Sequence, residues 1–197
     1  MDIRGLGTIP RILFATDGTI THILEAYAGE PVDLVRLSST MAVDAAHRHR
    51  IGIQGDERAL RRLSLRQGRH SRCVFVHADS IVVLDRLPEE VADELVETGA
   101  SLLELLAHHR IGTFRESTAE WEGRDEQVAA HFGIDPAAIH VARTYHIVLG
   151  GRPVAWVTES FPKHGFASPP PGPAEVSRGT AGPTQVRRWQ SERSGSP

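Results

Sequence analysis

The 197-residue chain contains one cysteine, Cys73, and one lysine, Lys163. A single cysteine excludes an intramolecular disulfide and a metal site built from several thiolates. Cys73 lies within an apolar, strand-like run, where a thiol without an activating partner packs as a small apolar side chain. Because lysine is almost absent, arginine carries the positive charge, and its planar guanidinium is well suited to bind carboxylates.

The sequence also lacks an apolar run of the roughly 18 residues that a membrane span requires. It begins without the basic segment and apolar core of a signal peptide. Its net charge of −3 argues against the basic surface typical of nucleic-acid-binding proteins. We therefore predict a cytoplasmic protein that contacts neither membrane nor nucleic acid, with a composition typical of one globular domain.

The composition changes after Phe166. Residues 167–197 contain six of the twelve prolines and very few large apolar side chains. Burial in this segment cannot offset the loss of chain entropy, so we predict a folded domain over 1–166 and a disordered tail over 167–197. A tail that docks through Trp189 is the alternative.

Helical and alternating apolar patterns within the first 166 residues predict an antiparallel α+β fold, because strands in hairpins occur without βαβ repeats. Ser101 and Glu104 have the spacing of a helix capping box. The expected helices span 17–28, 89–97 and 102–109. The expected strands include 12–15, 32–37, 60–66, 73–77, 80–84, 141–149 and 153–159, and a loop or flap is expected at 38–58.

The last two predicted strands flank a Gly150–Gly151 turn, which is typical of a tight hairpin. A regular ladder from this turn pairs Ala142 with Glu159 and places Arg143 on the opposite face. We therefore expect Arg143 to affect stability rather than a functional site. Glu159 ends an apolar strand, so its carboxylate must find a donor or be exposed. The predicted neighbours on its face are Ala142, Thr144, His146, Ala155 and Val157.

Alternation also places Arg62, Ser64 and Arg66 on one face of their strand, opposite Leu63 and Leu65. Periodicity alone leaves two interpretations open: the arginines are solvated, or they face a ligand.

Motifs for metals and phosphates are incomplete. The pairs His47/His49 and His108/His109 lack a third ligand at a recognisable spacing. Neither a dinucleotide-binding glycine motif nor a phosphate-binding loop with its lysine occurs in the sequence. We expect no metal and no phosphate-bearing cofactor.

Five segments, taken together in this order, resemble the chorismate pyruvate-lyases, and more closely the actinobacterial branch that forms 4-hydroxybenzoate. They span 12–24, 61–69, 74–88, 100–116 and 142–162. The resemblance implies a single antiparallel sheet with helices packed on one side and helical flaps over the ligand cavity. It also implies elimination of pyruvate from chorismate, which needs no cofactor because the product ring becomes aromatic.

The resemblance further implies roles for individual residues. Arg62 falls on the family's arginine for the ring carboxylate, and Glu159 on the glutamate that meets the ring hydroxyl. Ile20 and Leu102 fall on the helix starts whose backbones contact the ligand. A slip of one residue would exchange Arg62 for Arg61.

The partner of the second substrate carboxylate is open, because Ala78–Ser80 stands where many family members carry an arginine. Arg66 or another arginine within 36–69 is the candidate. The start of the second flap also departs from the family, with Leu102-Leu103 where a Pro-Leu-Gly phrase is more frequent.

Two other functions stay open. The same fold serves as a non-enzymatic small-molecule sensor in transcription regulators, which place a DNA-binding module ahead of it; few residues precede the first predicted strand here, so we expect an enzyme. A lyase acting on isochorismate or another chorismate-derived acid is the second alternative. The oligomeric state cannot be predicted from these patterns.

Removal of residues 167–197 should leave the melting temperature and turnover nearly unchanged, because this segment offers little apolar surface to a core. Thermal unfolding and a lyase assay on the full and shortened chains test this. A large loss of either property would instead indicate that Trp189 or its neighbours dock on the domain.

Overall fold

The computed structural model describes residues 2–16 and 19–166. The predicted disordered tail, residues 167–197, lies outside the described residues, as does Asp17 near the start of a predicted helix. None of the helices within the described ranges combines the length and apolar character needed to cross a membrane.

Six strands form one antiparallel sheet, which confirms the predicted fold class. They are β1 (Val32–Thr40), β2 (Ala59–Gly68), β3 (Val74–Val83), β4 (Phe114–Gly123), β5 (His140–Leu149) and β6 (Arg152–Pro162). The strand order is β1-β2-β3-β6-β5-β4. The central position therefore belongs to β3 and β6, and β1 and β4 form the two edges.

Helices pack on both faces of this sheet. The four helices α1, α2, α4 and α5 cover the face that carries Arg62 and Glu159, here called the front face. Helix α6 and the segment that follows α3 pack on the back face, whereas helices were expected on one side of the sheet. The bounds are α1 (Thr8–Ala15), α2 (Ile20–Ala28), α3 (Ala45–Arg50), α4 (Glu89–Thr98), α5 (Leu102–His108) and α6 (Glu126–Phe132).

The apolar side chains explain why each helix lies where it does. On the front face, Val91 and Leu95 of α4 and Leu106 of α5 pack with strand residues such as Val82 and Ile147. Each of these side chains is almost fully buried, and burial of one such side chain contributes roughly 1.5–3 kcal/mol. The apolar stripes of α4 and α5 thus hold the two helices against the sheet.

Several elements differ from the sequence prediction. Residues 12–15 belong to helix α1, because a short apolar run fits a buried helix as well as a strand. The segment 38–58 contains the end of β1 and the short helix α3. Strand β4 and helix α6 were not predicted; β4 is an edge strand with mostly exposed, polar residues and carries no apolar alternation.

The hairpin turn pairs Leu149 with Arg152 as predicted, but the register shifts between Ile147 and Val148. Val148 pairs with Pro153, which has no amide hydrogen, and prolines inside sheets occur at edges and bulges. The shift places Arg143 directly opposite Glu159.

The predicted faces of this hairpin were therefore wrong, because a shift of one residue moves every side chain to the other face. Thr144, predicted beside Glu159, pairs with Thr158 on the back face. Arg143 and Tyr145 take its place on the front face. Arg143 is consequently a neighbour of Glu159 and cannot serve as a control residue remote from it.

A buried arginine outside the sheet joins the segment around α3 to the hairpin. Arg86 donates hydrogen bonds to the backbone carbonyls of Ile51, Gly52 and Pro153. It also pairs with Glu57, with 2.7 Å between its Nη2 and a carboxylate oxygen. This hydrogen bond, helped by the Gln54 amide, lowers the pKa of Glu57 to about 2.

The lowered pKa of Glu57 predicts a defined pH dependence. Its contribution to stability is complete above the ordinary pKa of 4.5 and disappears as the pH falls towards about 2. Glu57→Gln should reduce the free energy of unfolding at pH 7 by roughly 1–2 kcal/mol and weaken the acid dependence in this window. Urea unfolding across pH 2–7 tests this, with the exposed Glu97→Gln as control. Parallel pH curves for parent and Glu57→Gln would contradict the prediction.

Candidate active site

A small cavity of about 80 Å³, here called the inner cavity, lies between the front face of the sheet and the first turns of α2 and α5. Apolar side chains such as Val76, Val82 and Val157 form much of its wall. All five residues singled out from the sequence line this cavity: Ile20, Arg62, Arg66, Leu102 and Glu159. The structure thus brings together residues from β2, β6 and both helix starts.

Arg62 is a buried positive charge, with 5% of its surface exposed. Its guanidinium donates hydrogen bonds to the carbonyl of Ala100, at 2.8 Å, and to that of Gly99. Burial lowers the pKa of Arg62, and the positive charges of Arg36 and Arg66 act in the same direction. The guanidinium nevertheless stays charged near neutral pH. Among the described residues, no carboxylate forms an ion pair with Arg62, so the cavity favours an anion.

Arg61 lies on the back face, where it pairs with Asp79 through two hydrogen bonds of 3.1 and 2.8 Å. These bonds raise the pKa of Arg61. Arg61 does not line the inner cavity, and the strand faces predicted for Arg62 and Arg66 agree with the structure.

Arg66 connects β2 to the start of α5. Its Nη2 donates to the Ser101 hydroxyl at 3.3 Å, and its Nη1 lies 3.7 Å from the Glu104 carboxylate. Ser101 is the N-cap residue of α5, as predicted, but its side chain makes no capping hydrogen bond. The predicted capping box is therefore wrong, because the Ser101 hydroxyl accepts from Arg66 instead.

Glu159 is 6% exposed, and three groups approach its two oxygens. Arg143 Nε donates to Oε2 at 2.9 Å, and Nη2 lies 2.8 Å from the same oxygen. Tyr145 donates its phenolic hydrogen to Oε1 at 3.0 Å. Burial raises the pKa of Tyr145 well above its ordinary value, and the charge of Glu159 adds to this. The phenol therefore stays protonated and acts as a donor.

Arg143 also bonds to the end of helix α1. Its Nη1 donates to the Thr16 carbonyl at 2.6 Å and lies 3.4 Å from the Phe14 carbonyl. Arg143 thus links the Glu159 carboxylate to the backbone at the end of α1. Sequence reasoning missed Arg143 and Tyr145; Pro153, three residues beyond Gly150, was the signal that could have indicated a bulge.

A wider cleft of about 570 Å³ lies on the back face between α3 and α6. Its two acidic side chains are already engaged, since Asp79 pairs with Arg61 and Asp125 accepts from the amides at the start of α6. The buried charge of Arg62, which has no carboxylate partner among the described residues, lies on the front face. We therefore place the candidate site in the inner cavity.

The histidine pairs considered from the sequence do not come together as metal ligands. His47 Nδ1 lies 2.5 Å from Asp44, and His109 Nε2 lies 2.9 Å from Glu94. Over the described part of the chain, no group of three or more potential ligands is arranged to hold a metal ion. Cys73 is half-buried, and burial raises the pKa of its thiol, which suits a packing role.

Residues 14–166 match the family described as chorismate pyruvate-lyase Rv2949c-like. Two curated relatives are named chorismate pyruvate-lyase. The one from Mycobacterium tuberculosis is 33% identical over 174 residues, covering 86% of this chain and 87% of the relative. The one from Mycobacterium leprae is 34% identical over 176 residues, covering 86% of this chain and 81% of the relative.

Solved structures with low sequence identity share the fold. The effector domain of PhnF from Mycobacterium smegmatis superposes with a TM-score of 0.59 at 14% identity, covering 77% of this chain and 94% of that domain. A GntR-family transcriptional regulator from Bacillus cereus gives a TM-score of 0.53 at 12% identity, covering 66% of this chain and 91% of the regulator chain. At these identities the likeness concerns the fold alone.

The buried pair of Arg143 and Glu159 predicts a strongly non-additive response to mutation. Arg143→Met leaves the Glu159 charge buried without its cation and should cost about 3–5 kcal/mol in the free energy of unfolding. The double variant Arg143→Met/Glu159→Gln should be less destabilised than the sum of the two single variants. Urea unfolding at pH 7 measures all three, with Arg61→Met as the partly exposed control. Equal losses for Arg143→Met and Arg61→Met would contradict this assignment.

Proposed function

Because the chain belongs to the Rv2949c-like chorismate pyruvate-lyase family, we propose that it eliminates pyruvate from chorismate and releases 4-hydroxybenzoate. The observation that carries this proposal is the buried guanidinium of Arg62, which pairs with no carboxylate of the described residues and shares one cavity with the Glu159 carboxylate. A cation at one end and an acceptor at the other suit a ring that bears a carboxylate and a hydroxyl group.

Strand β3, which lies between Arg62 and Glu159, leaves room for a planar ligand. Arg62 is on β2 and Glu159 is on β6, with Ala78 and Ser80 of β3 between them on the front face. Small side chains at these two positions leave space above the sheet for a six-membered ring. Valine and isoleucine side chains line much of this space.

Arg62 binds the ring carboxylate in this mechanism. Two of its N–H groups hold the carbonyls of Gly99 and Ala100, and the remaining donors are directed to the ligand. A hydrogen bond to a charged group contributes roughly 1.5–3 kcal/mol, and a bidentate pair also fixes the ring plane. The backbones of Ile20 and Leu102, at the starts of α2 and α5, contact the ligand from the opposite side.

Glu159 accepts the hydrogen of the ring hydroxyl, which is attached next to the carbon that carries the enolpyruvyl ether. The bond between the ring carbon and the ether oxygen breaks, and the neighbouring ring carbon, which bears the hydroxyl, loses its hydrogen. The ring becomes aromatic, and the enolpyruvyl fragment gains a hydrogen at its methylene carbon and leaves as pyruvate. Because Arg143 and Tyr145 already engage both oxygens of Glu159, its role is to orient the ring hydroxyl while the hydrogen moves within the substrate.

Arg62 and Glu159 are the two principal residues of this mechanism, and both lie in the wall of the inner cavity. The reaction is driven by aromatisation, so it proceeds without a metal ion or redox cofactor, and we propose that the protein carries none.

The direct test is incubation of the purified protein with chorismate, followed by quantification of pyruvate and of the hydroxybenzoate isomer. Formation of pyruvate and 4-hydroxybenzoate in equal amounts supports the proposal. Binding of chorismate without turnover would identify a small-molecule sensor instead. Turnover of isochorismate in preference to chorismate would indicate a lyase for a related acid.

Substitution of the two principal residues should separate binding from turnover. Arg62→Gln should chiefly raise KM, because the ring carboxylate is present in the ground state and the transition state alike. Glu159→Gln should chiefly lower kcat, because the amide keeps the shape but loses the charge that orients the hydroxyl. Steady-state kinetics with chorismate, together with melting temperatures, measure these effects.

Arg61→Gln is the matched control, since it removes the same charge from the neighbouring position on the back face. It should leave both kinetic constants close to those of the parent. If Arg61→Gln impaired turnover and Arg62→Gln did not, the site would lie on the other face of the sheet.

A further inference from the structure

A second compartment of about 480 Å³ opens between α2 and α5 beside the inner cavity, and we call it the outer compartment. We propose that it binds the three-carbon enolpyruvyl group of the substrate and the departing pyruvate, with Arg115 and Arg66 holding the carboxylate of that group. This assignment rests on the proposed lyase activity and identifies where the second half of the substrate lies.

Shared walls show how the two spaces connect. Ile20, Arg66, Ser101, Leu103 and Glu159 line both the inner cavity and the outer compartment. Arg62 lines only the inner cavity. Glu159 therefore stands at the junction, and Arg62 stands on the side away from the outer compartment.

The chemistry of the substrate determines which part enters each space. With the ring carboxylate on Arg62 and the ring hydroxyl on Glu159, the ring occupies the inner cavity. The ether is attached next to the carbon with this hydroxyl, so it also lies beside Glu159. On the Arg62 side, the carbonyls of Gly99 and Ala100 accept from two of the guanidinium N–H groups, and the ring carboxylate takes the remaining donors. The space that continues from Glu159 is the outer compartment, and the enolpyruvyl group extends into it.

Arg115 supplies the first positive charge. It pairs with Ile147 across β4 and β5, and Ile147 lines the inner cavity, so this position faces the front side. The guanidinium carbon lies 5.0 Å from the centre of the Tyr145 ring. Tyr145 is the residue that donates to Glu159, so Arg115 stands one side chain away from the reacting end of the substrate.

Arg66 supplies the second positive charge at the boundary. Its distance of 3.7 Å to Glu104 exceeds that of a hydrogen bond, and the Glu104 side chain is 55% exposed. Such a solvated pair contributes little energy, so a substrate carboxylate can replace Glu104 at low cost. Besides Glu104 and Glu159, the compartment has one more lining acid among the described residues, Glu25, which accepts from the Val32 amide at 3.3 Å.

The decisive comparison uses one ligand that carries this group and one that lacks it. Chorismate carries both carboxylates, whereas 4-hydroxybenzoate keeps the ring carboxylate and the hydroxyl but lacks the three-carbon chain. Arg115→Gln should raise the KM for chorismate by roughly tenfold or more, as expected for loss of a charge-assisted hydrogen bond, and leave the Kd for 4-hydroxybenzoate near the parent value. Arg62→Gln should weaken the binding of both ligands.

Pyruvate inhibition gives an independent readout. Pyruvate should inhibit the parent as a product, and this inhibition should weaken in Arg115→Gln and in Arg66→Gln. Arg152→Gln, which removes an exposed arginine at the hairpin turn, is the control and should change neither value. Arg115→Lys, which keeps the charge, should recover part of the lost affinity for chorismate, and melting temperatures report on folding of each variant.

The outcomes separate the two levels of the proposal. Absence of lyase activity in the parent would refute the proposed function; calorimetry of chorismate against 4-hydroxybenzoate would then still decide whether Arg115 binds the three-carbon group. With an active parent, equal weakening of both ligands by Arg115→Gln, or no effect on chorismate, would overturn the outer-compartment assignment. Selective weakening of chorismate and pyruvate would establish it.

Discussion

The buried contact between Arg143 and Glu159 is the constraint on which the candidate site depends. It crosses the β5–β6 hairpin, and it exists only because the bulge beside Pro153 brings both residues to the front face. The same guanidinium reaches the end of α1. One side chain therefore sets the orientation of a central carboxylate and binds the backbone at Thr16, directly after α1. A buried charge with this many partners tolerates little displacement.

Two neighbouring arginines on β2, Arg61 and Arg62, have different partners because they point to opposite faces of the sheet. Arg61 and Arg62 differ by one position, so they point to opposite faces. Arg61 meets Asp79 and is neutralised in a partly exposed pair, whereas Arg62 lies on the covered side and donates to the carbonyls of Gly99 and Ala100. Two features thus decide whether an arginine of β2 forms a surface ion pair or an anion site: the alternation of side chains along the strand, and the cover that α1, α2, α4 and α5 give to the front face.

Much of the fold follows from patterns that can be read along the chain. The helices at α2, α4 and α5 carry apolar stripes with clear end signals, and Gly29 and Gly99 end two of them with a positive φ. The central strands contain β-branched residues in sufficient number to be predicted. Strand β4 escaped prediction because an exposed edge requires no apolar alternation, and α1 because its short apolar run suits either structure.

The site was less predictable than the fold because it depends on the register of the β5–β6 hairpin. Arg62, Ile20, Leu102 and Glu159 were singled out through the family resemblance and Arg66 as the candidate for the second carboxylate, and all five line the inner cavity. Arg143 and Tyr145 were placed on the wrong face, since a ladder counted from the turn carries no information about a later bulge. Contacts between β2 and the link from α4 to α5 also require the assembled structure, because they join residues 38 positions apart.

The position of Arg62 between that link and the cavity has a consequence for which residue can stand there. A guanidinium offers five N–H donors in one plane, and two of them hold the peptide carbonyls of Gly99 and Ala100. The remaining donors can meet a carboxylate along another edge of the same plane. An ammonium group has three donors arranged around a point, and it cannot serve two partners in this flat arrangement. The residue that attracts the anion thus also anchors the link between α4 and α5. Loss of its geometry would release this link and remove the anion-binding charge at the same time.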